Sequence, residues 1–171
     1  EAYENNGDYD PGNFYSLSAG FKRPFENLTW ISDITFTSYT DDKQDDLKIY
    51  NRGNQFLFRM GGVWETSELT ASADARYFIR DRNAVFDLAG AIANQLQLYG
   101  NEFSLLGNVS WFFDDKSWEV GPLFSLRMIA ANEYELGNAS NIGLGAQAKK
   151  WLAPRYQLGL SFKYLTGSAD G

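Results

Sequence analysis

The 171-residue sequence predicts an all-β fold built from antiparallel, up-and-down hairpins. Three observations carry this reading. Runs of about ten or more residues alternate apolar and polar side chains at period two, these runs come in pairs joined by short polar turns, and no stretch of about eighteen apolar residues offers a membrane-crossing helix.

The first twelve residues, EAYENNGDYDPG, are acidic and rich in turn formers, so residues 1–12 are expected to form a loop or tail. From Asn13 the alternation begins: Tyr15, Leu17, Ala19 and Phe21 oppose Ser16, Ser18, Gly20 and Lys22. After the 23–27 turn, Leu28, Trp30, Ile34 and Phe36 oppose Thr29, Ile31, Asp33 and Thr35. A long polar connection, TDDKQDDLKIYNRGN, leads to a second pair. There Phe56, Phe58, Met60 and Trp64 oppose Leu57, Arg59 and Val63, and beyond the 65–68 turn Leu69, Ala71, Ala73, Ala75, Tyr77 and Ile79 oppose Thr70, Ser72, Asp74, Arg76, Phe78 and Arg80.

The third pair runs from Glu102 to Ala131 around the polar turn 114–117. Its apolar face carries Phe103, Leu105, Val109 and Trp111 on one arm and Trp118, Val120, Phe124, Leu126 and Met128 on the other. A fourth pair, 141–152 and 156–164, turns through Ala153-Pro154-Arg155. Pro122 falls inside the third pair and predicts either a bulge at Gly121-Pro122 or a strand that starts after it, because proline cannot donate to a ladder.

Residues 84–98, AVFDLAGAIANQLQL, fit two patterns. They alternate as a strand, and they also carry Asn83 as an N-cap, Val85, Leu88, Ile92 and Leu96 along one helical side, and Gly100 as a stop. The segment is therefore expected to be a short helix or folded loop, or else a ninth strand.

All five Trp flank short turns: Trp30, Trp64, Trp111, Trp118 and Trp151. Such clustering is what an aromatic girdle at a membrane–water interface requires, since the ring sits at headgroup level while its N–H stays wet. With the alternation and the turn chemistry, these residues resemble the bacterial outer-membrane β-barrel proteins over about Asn13 to Tyr164, without a motif belonging to one family. The resemblance implies an antiparallel up-and-down transmembrane β-barrel, 13–166, with 167–171 as a second loop or tail. It also implies a porin-like envelope protein in a Gram-negative outer membrane, in contact with outer-membrane lipid or lipopolysaccharide. Eight or nine crossing strands are visible. With short turns periplasmic, eight crossings put both ends of the segment outside, and nine leave an odd count, so either reading expects an arc of a larger barrel.

The remaining composition narrows the chemistry. Cys and His are both absent, which removes thiolate nucleophiles, disulfides, imidazole bases and the commonest metal ligands, and no enzymatic activity or cofactor is expected. A net charge of −7 argues against nucleic acid as a partner. The acidic stretches 4–10 and 41–46 lack an EF-hand pattern and read as solvated loops. On the polar faces, Arg59, Arg76, Arg80, Arg127, Lys149 and Lys163 are the candidate lumen residues, with Asp74 a structural partner for Arg76. Arg76 and Arg80 stand about 13 Å apart at strand rise, a spacing suited to a ladder along a pore wall. The expected function is passive passage of small polar or anionic solutes, saccharide export included. The alternatives are a receptor-type barrel with a blocked lumen and a soluble ligand-binding β-barrel.

Overall fold

The computed structural model describes residues 8–133 and 137–170. The acidic residues 1–7 and the centre of the 132–140 connection lie outside the described residues. Thirteen strands follow one another: β1 (Tyr9–Asp10), β2 (Phe14–Pro24), β3 (Leu28–Tyr39), β4 (Asp42–Gln44), β5 (Leu47–Asn51), β6 (Gln55–Glu65) and β7 (Leu69–Arg80). The rest are β8 (Asn83–Phe86), β9 (Ile92–Leu96), β10 (Glu102–Phe113), β11 (Trp118–Ile129), β12 (Ala139–Ala153) and β13 (Tyr156–Ala169).

Eight long strands form one antiparallel meander in the order β13-β12-β11-β10-β7-β6-β3-β2. The other five make a small antiparallel sheet, β1-β4-β5-β8-β9, from the segments between the long hairpins and the residues just before β2. The all-β expectation is met, and the predicted hairpins fall where the alternation placed them. Three details differ. Tyr9–Asp10, inside the expected 1–12 tail, pairs with β4; β13 runs to Ala169, past the expected boundary at 166; and 84–98 holds neither a helix nor a ninth long strand. It folds as the β8–β9 hairpin, turned at Gly90, where a positive φ of 76° suits glycine. The Asp87 carboxylate accepts from the amides of Ala89 and Ala91 at 2.9 Å each, a local turn that outcompetes the helix.

Apart from a bulge at Trp151–Ala153 beside the last turn, register through the large sheet is continuous, so the period-two pattern of each strand is in phase with its neighbours. Leu17, Phe36, Phe56, Ile79, Phe103, Met128 and their same-face neighbours share one apolar surface. Arg59, Arg76, Ser104 and Arg127 share the other. Nothing covers the apolar surface: on the interior strands β6 and β11, Met60 and Met128 are 50% and 49% exposed. Among the described residues the one buried apolar side chain is Ala84, in the small sheet. Total accessible surface is 12320 Å², against about 8,500 Å² for a compact monomer of this size. The large sheet is a single layer without an apolar core.

The sheet bends toward its polar side, and adjacent glycines report it. A Cβ on Gly62 or Gly107, which face the apolar side, would find its nearest atom at 3.5 Å. On the polar side a Cβ on Gly61 would meet the Ala73 carbonyl oxygen at 2.9 Å, and one on Gly121 would collide with the Val109 carbonyl. The buried residues of the long strands, among them Ser110 and Ser125, also face the polar side. Bending crowds side chains on the concave face and spreads them on the convex one, so the polar face is concave.

Following the register from strand to strand, the four short turns shift along the strand direction by about one residue per strand, always in the same sense. A rise of about 3.4 Å over a strand spacing of about 4.8 Å converts this stagger to a tilt of roughly 40° between the strands and the normal to the row of turns. β2 and β13 are not paired with each other, so the sheet is an open arc.

Pro122 lies within β11, on an interior strand. The β10–β11 ladder lapses at Val109–Ser110 opposite Gly121–Pro122 and resumes in unchanged register, while Pro122 stays opposite Ala146 on β12. The strand therefore neither bulges nor starts late; it absorbs the missing donor by omitting the Val109–Pro122 and Ser110–Gly121 pairings.

Because a Cβ on Gly121 has no room beside the Val109 carbonyl while one on Gly107 does, Gly121→Ala should destabilise the fold by about 2–3 kcal/mol. Gly107→Ala should stay within about 0.5 kcal/mol. Denaturant titration of the two variants measures the contrast.

Candidate functional site on the concave face

The concave face carries Lys22, Arg59, Arg76, Arg80, Arg127, Lys149 and Lys163, against Asp33, Asp74, Glu102, Glu119 and, at the turn end, Glu65. Cations exceed carboxylates there although the whole chain is acidic at −7. All six predicted lumen residues lie on this one face.

Register brings Asp33, Arg59, Arg76, Ser104, Arg127 and Asn141 into a single row running from β3 to β12. Arg59 and Arg76 are directly opposite, an arrangement of like charges that costs stability unless compensated. Asp74, one rung away, compensates it. Arg59 Nε donates to Asp74 Oδ2 at 2.5 Å and Arg76 Nε to Asp74 Oδ1 at 2.6 Å, while Asp33 stands 3.8 Å from Arg59 Nη1. Arg127 donates through Nε and Nη2 to both Glu102 oxygens at 2.9 Å, a bidentate pair.

The Arg76–Arg80 ladder expected from spacing does not form. Arg76 turns to Asp74, whereas Arg80 stacks 4.1 Å from the Phe78 ring centroid and donates Nη1 to the Gly100 carbonyl at 2.7 Å. It ties the end of β7 to the approach of β10. Lys149 donates to Glu119 at 2.8 Å within a cluster completed by Ser110 and Gln147. Lys163 lies on the same face of the edge strand β13, joined to none of the described carboxylates by an ion pair. Lys22 on the edge strand β2, assigned to the polar face by its alternation, lies there too. Hydroxyl and amide groups fill the intervening positions, with Ser18 and Thr35 bonded at 2.9 Å and Ser72 hydrogen-bonded to Asn108.

The five Trp gather at the end of the sheet that holds the short turns. Trp30, Trp64, Trp111 and Trp118 project from the convex face, and Trp151 sits in the bulge where β12 meets β13. Backbone bonds from Phe112 N to Glu68 O (2.9 Å) and from Trp151 N to Ser117 O (2.8 Å) align neighbouring turns at one level. The small sheet occupies the opposite end, where Asn83 Nδ2 donates to the Tyr50 hydroxyl at 2.7 Å. Lys48, 2.8 Å from Asp41, holds that carboxyl below the ordinary carboxylate range; Asn51 donates to it as well, and partial burial opposes them.

No family model matches this chain, and neither the curated proteins nor the solved structures include a match to it.

Two outcomes follow. Asp74→Ala leaves two opposed guanidiniums without their shared carboxylate and should lower stability by about 1 kcal/mol, since solvent screens the half-exposed arginines; denaturant titration reads it. The lowered Asp41 carboxyl stabilises the small sheet above the unfolded carboxylate value and ceases to do so as pH falls through its folded value. Protection factors of the amides across 41–51, which divide out the intrinsic pH dependence of exchange, should therefore fall below about pH 4, and Asp41→Asn should show lower protection at neutral pH without that acid step.

Proposed function

We propose that this chain forms the wall of a bacterial outer-membrane β-barrel that passes small polar or anionic solutes, saccharides among them. The observation that carries the proposal is the two-sided sheet: an uncovered convex apolar face, backed by a concave, polar, net-cationic face. A convex apolar surface of this extent is unsuited to water and suited to lipid. Along β7 the apolar positions from Leu69 to Ile79 span about 34 Å of strand, or roughly 26 Å of membrane normal at the sheet's tilt. This matches the hydrocarbon-facing band of outer-membrane barrels, about 25 Å. The Trp cluster at the turn end supplies one interface.

A bilayer cannot hold free sheet edges, because unpaired N–H and C=O groups there each cost several kcal/mol. In the proposed setting β2 and β13 are therefore both paired and the arc is closed. The readings with a blocked lumen or a soluble barrel differ from this one in conductance and in detergent dependence.

Purified protein reconstituted in planar bilayers should give ion currents with anion preference, and Arg76→Glu or Arg127→Glu should lower that preference by several-fold. Recovery as a soluble monomer without detergent would overturn the membrane reading, and a silent bilayer-inserted protein would favour the blocked barrel.

A further inference from the structure

Arg59 and Arg76 both spend their Nε–H on the two oxygens of one carboxylate, at 2.5 and 2.6 Å. Neither uses its terminal nitrogens in a hydrogen bond to a described residue, the nearest carboxylate oxygen being that of Asp33 at 3.8 Å. Their side chains are 38% and 47% exposed on the concave face. Asp74 thus acts as a positioning residue: it grips both guanidiniums by their inner edges and leaves the outer edges available. Asp74 is fully engaged by the two Nε–H groups, and Asp33 faces Arg59 Nη1 at 3.8 Å without a hydrogen bond, so the terminal nitrogens keep donors free for a further acceptor. By contrast, Arg127 in the same row spends Nε and Nη2 on the two oxygens of Glu102 in a bidentate pair, and Glu102 also faces Arg80 Nη2 at 4.0 Å.

We infer that the Arg59–Arg76 pair is a binding station for a single oxyanion, a carboxylate or phosphate group carried by a small solute. The planar fork of each guanidinium offers paired N–H donors in the geometry that such oxygens accept, and a lysine in either position would present only a point charge. Ser104, next in the row, adds a hydroxyl on the far side of Arg76. The inference deepens the proposed function by naming the solute class, and it rests on that reading only in needing the concave face to be open to water.

The test uses the full chain in detergent micelles with isotope-labelled arginine, at constant ionic strength set by chloride. Inorganic phosphate, acetate and glucose are titrated separately while the side-chain resonances of Arg59 and Arg76 are followed. Saturable shifts at both residues with phosphate and acetate in the millimolar range, and none with glucose, are expected. The stronger of the two anions tells a phosphate-bearing from a carboxylate-bearing solute. Arg59→Lys and Arg76→Lys, which keep the charge and lose the fork, should each weaken binding about tenfold. Arg155→Lys, in the 153–155 turn away from the row, should leave it within about twofold, with unchanged circular dichroism in all three. Non-saturating shifts, or unaltered affinity in both Arg59→Lys and Arg76→Lys, would overturn the station. Failure of the channel reading is separate: saturable binding without bilayer current leaves the station standing and removes the pore, and current without saturable binding does the reverse.

Discussion

The continuous antiparallel register of the eight long strands is the constraint on which the rest of this molecule depends. Side chains alternate at period two, so a slip of one residue between any two neighbours would send half of the sheet's apolar residues to the polar side. No such slip interrupts the ladders from β2 to β13 except the bulge at Trp151–Ala153, beside the last turn. The same ladder that keeps Leu17, Phe36, Phe56 and Ile79 on one surface also lines up Arg59, Arg76 and Arg127 on the other. The steady stagger of the turns, about one residue per strand, is a second product of that register, and it sets the tilt at which the strands cross the layer.

The energetic logic of the fold is unusual for a chain of this size. A soluble domain is held by a buried core, and the large sheet has none; its ladders are satisfied internally while its convex face is left to the surroundings. The concave face is organised by charge-assisted bonds instead. Glu119 bonds Lys149 and Glu102 bonds Arg127 in a bidentate pair, with Arg80 4.0 Å from the same Glu102. Asp74 bridges Arg59 and Arg76 through their Nε–H groups, which leaves their terminal nitrogens as donors to spare. Crowded glycines such as Gly61 and Gly121 let the backbone bend over this polar surface.

Much of the fold was legible from sequence because one physical rule, alternation between two environments, is written along each strand. The Ala-rich run of β7 and the paired arms around the 114–117 turn are the clearest cases. The small sheet was not legible, since β4, β5, β8 and β9 are three to five residues long and their pairing depends on connections brought together only when the long strands assemble. Residues 84–98 form neither the helix nor the ninth long strand because neither helix-compatible spacing over Val85, Leu88, Ile92 and Leu96 nor strand alternation reveals the Asp87 turn that divides the segment into two short strands. Pro122 resisted because pairings can be dropped from a ladder without changing register. The candidate site was half legible: each cation could be assigned to the polar face, but Arg59, Arg76 and Arg127 come from three strands, and their shared row exists only in the assembled sheet.

The central claim is that the convex face meets lipid while the concave face meets water, and the absence of cysteine makes it directly measurable. Single cysteines placed in turn from residue 70 to residue 78 of β7, spin-labelled and reconstituted in lipid bilayers, report the local accessibility of oxygen and of a water-soluble paramagnetic relaxer. The account predicts opposite period-two profiles, with oxygen favoured at 71, 73, 75 and 77 and the water-soluble relaxer at 70, 72, 74 and 76. A flat profile, or one in which the water-soluble relaxer reaches 71, 73 and 75 as readily as their neighbours, would contradict it.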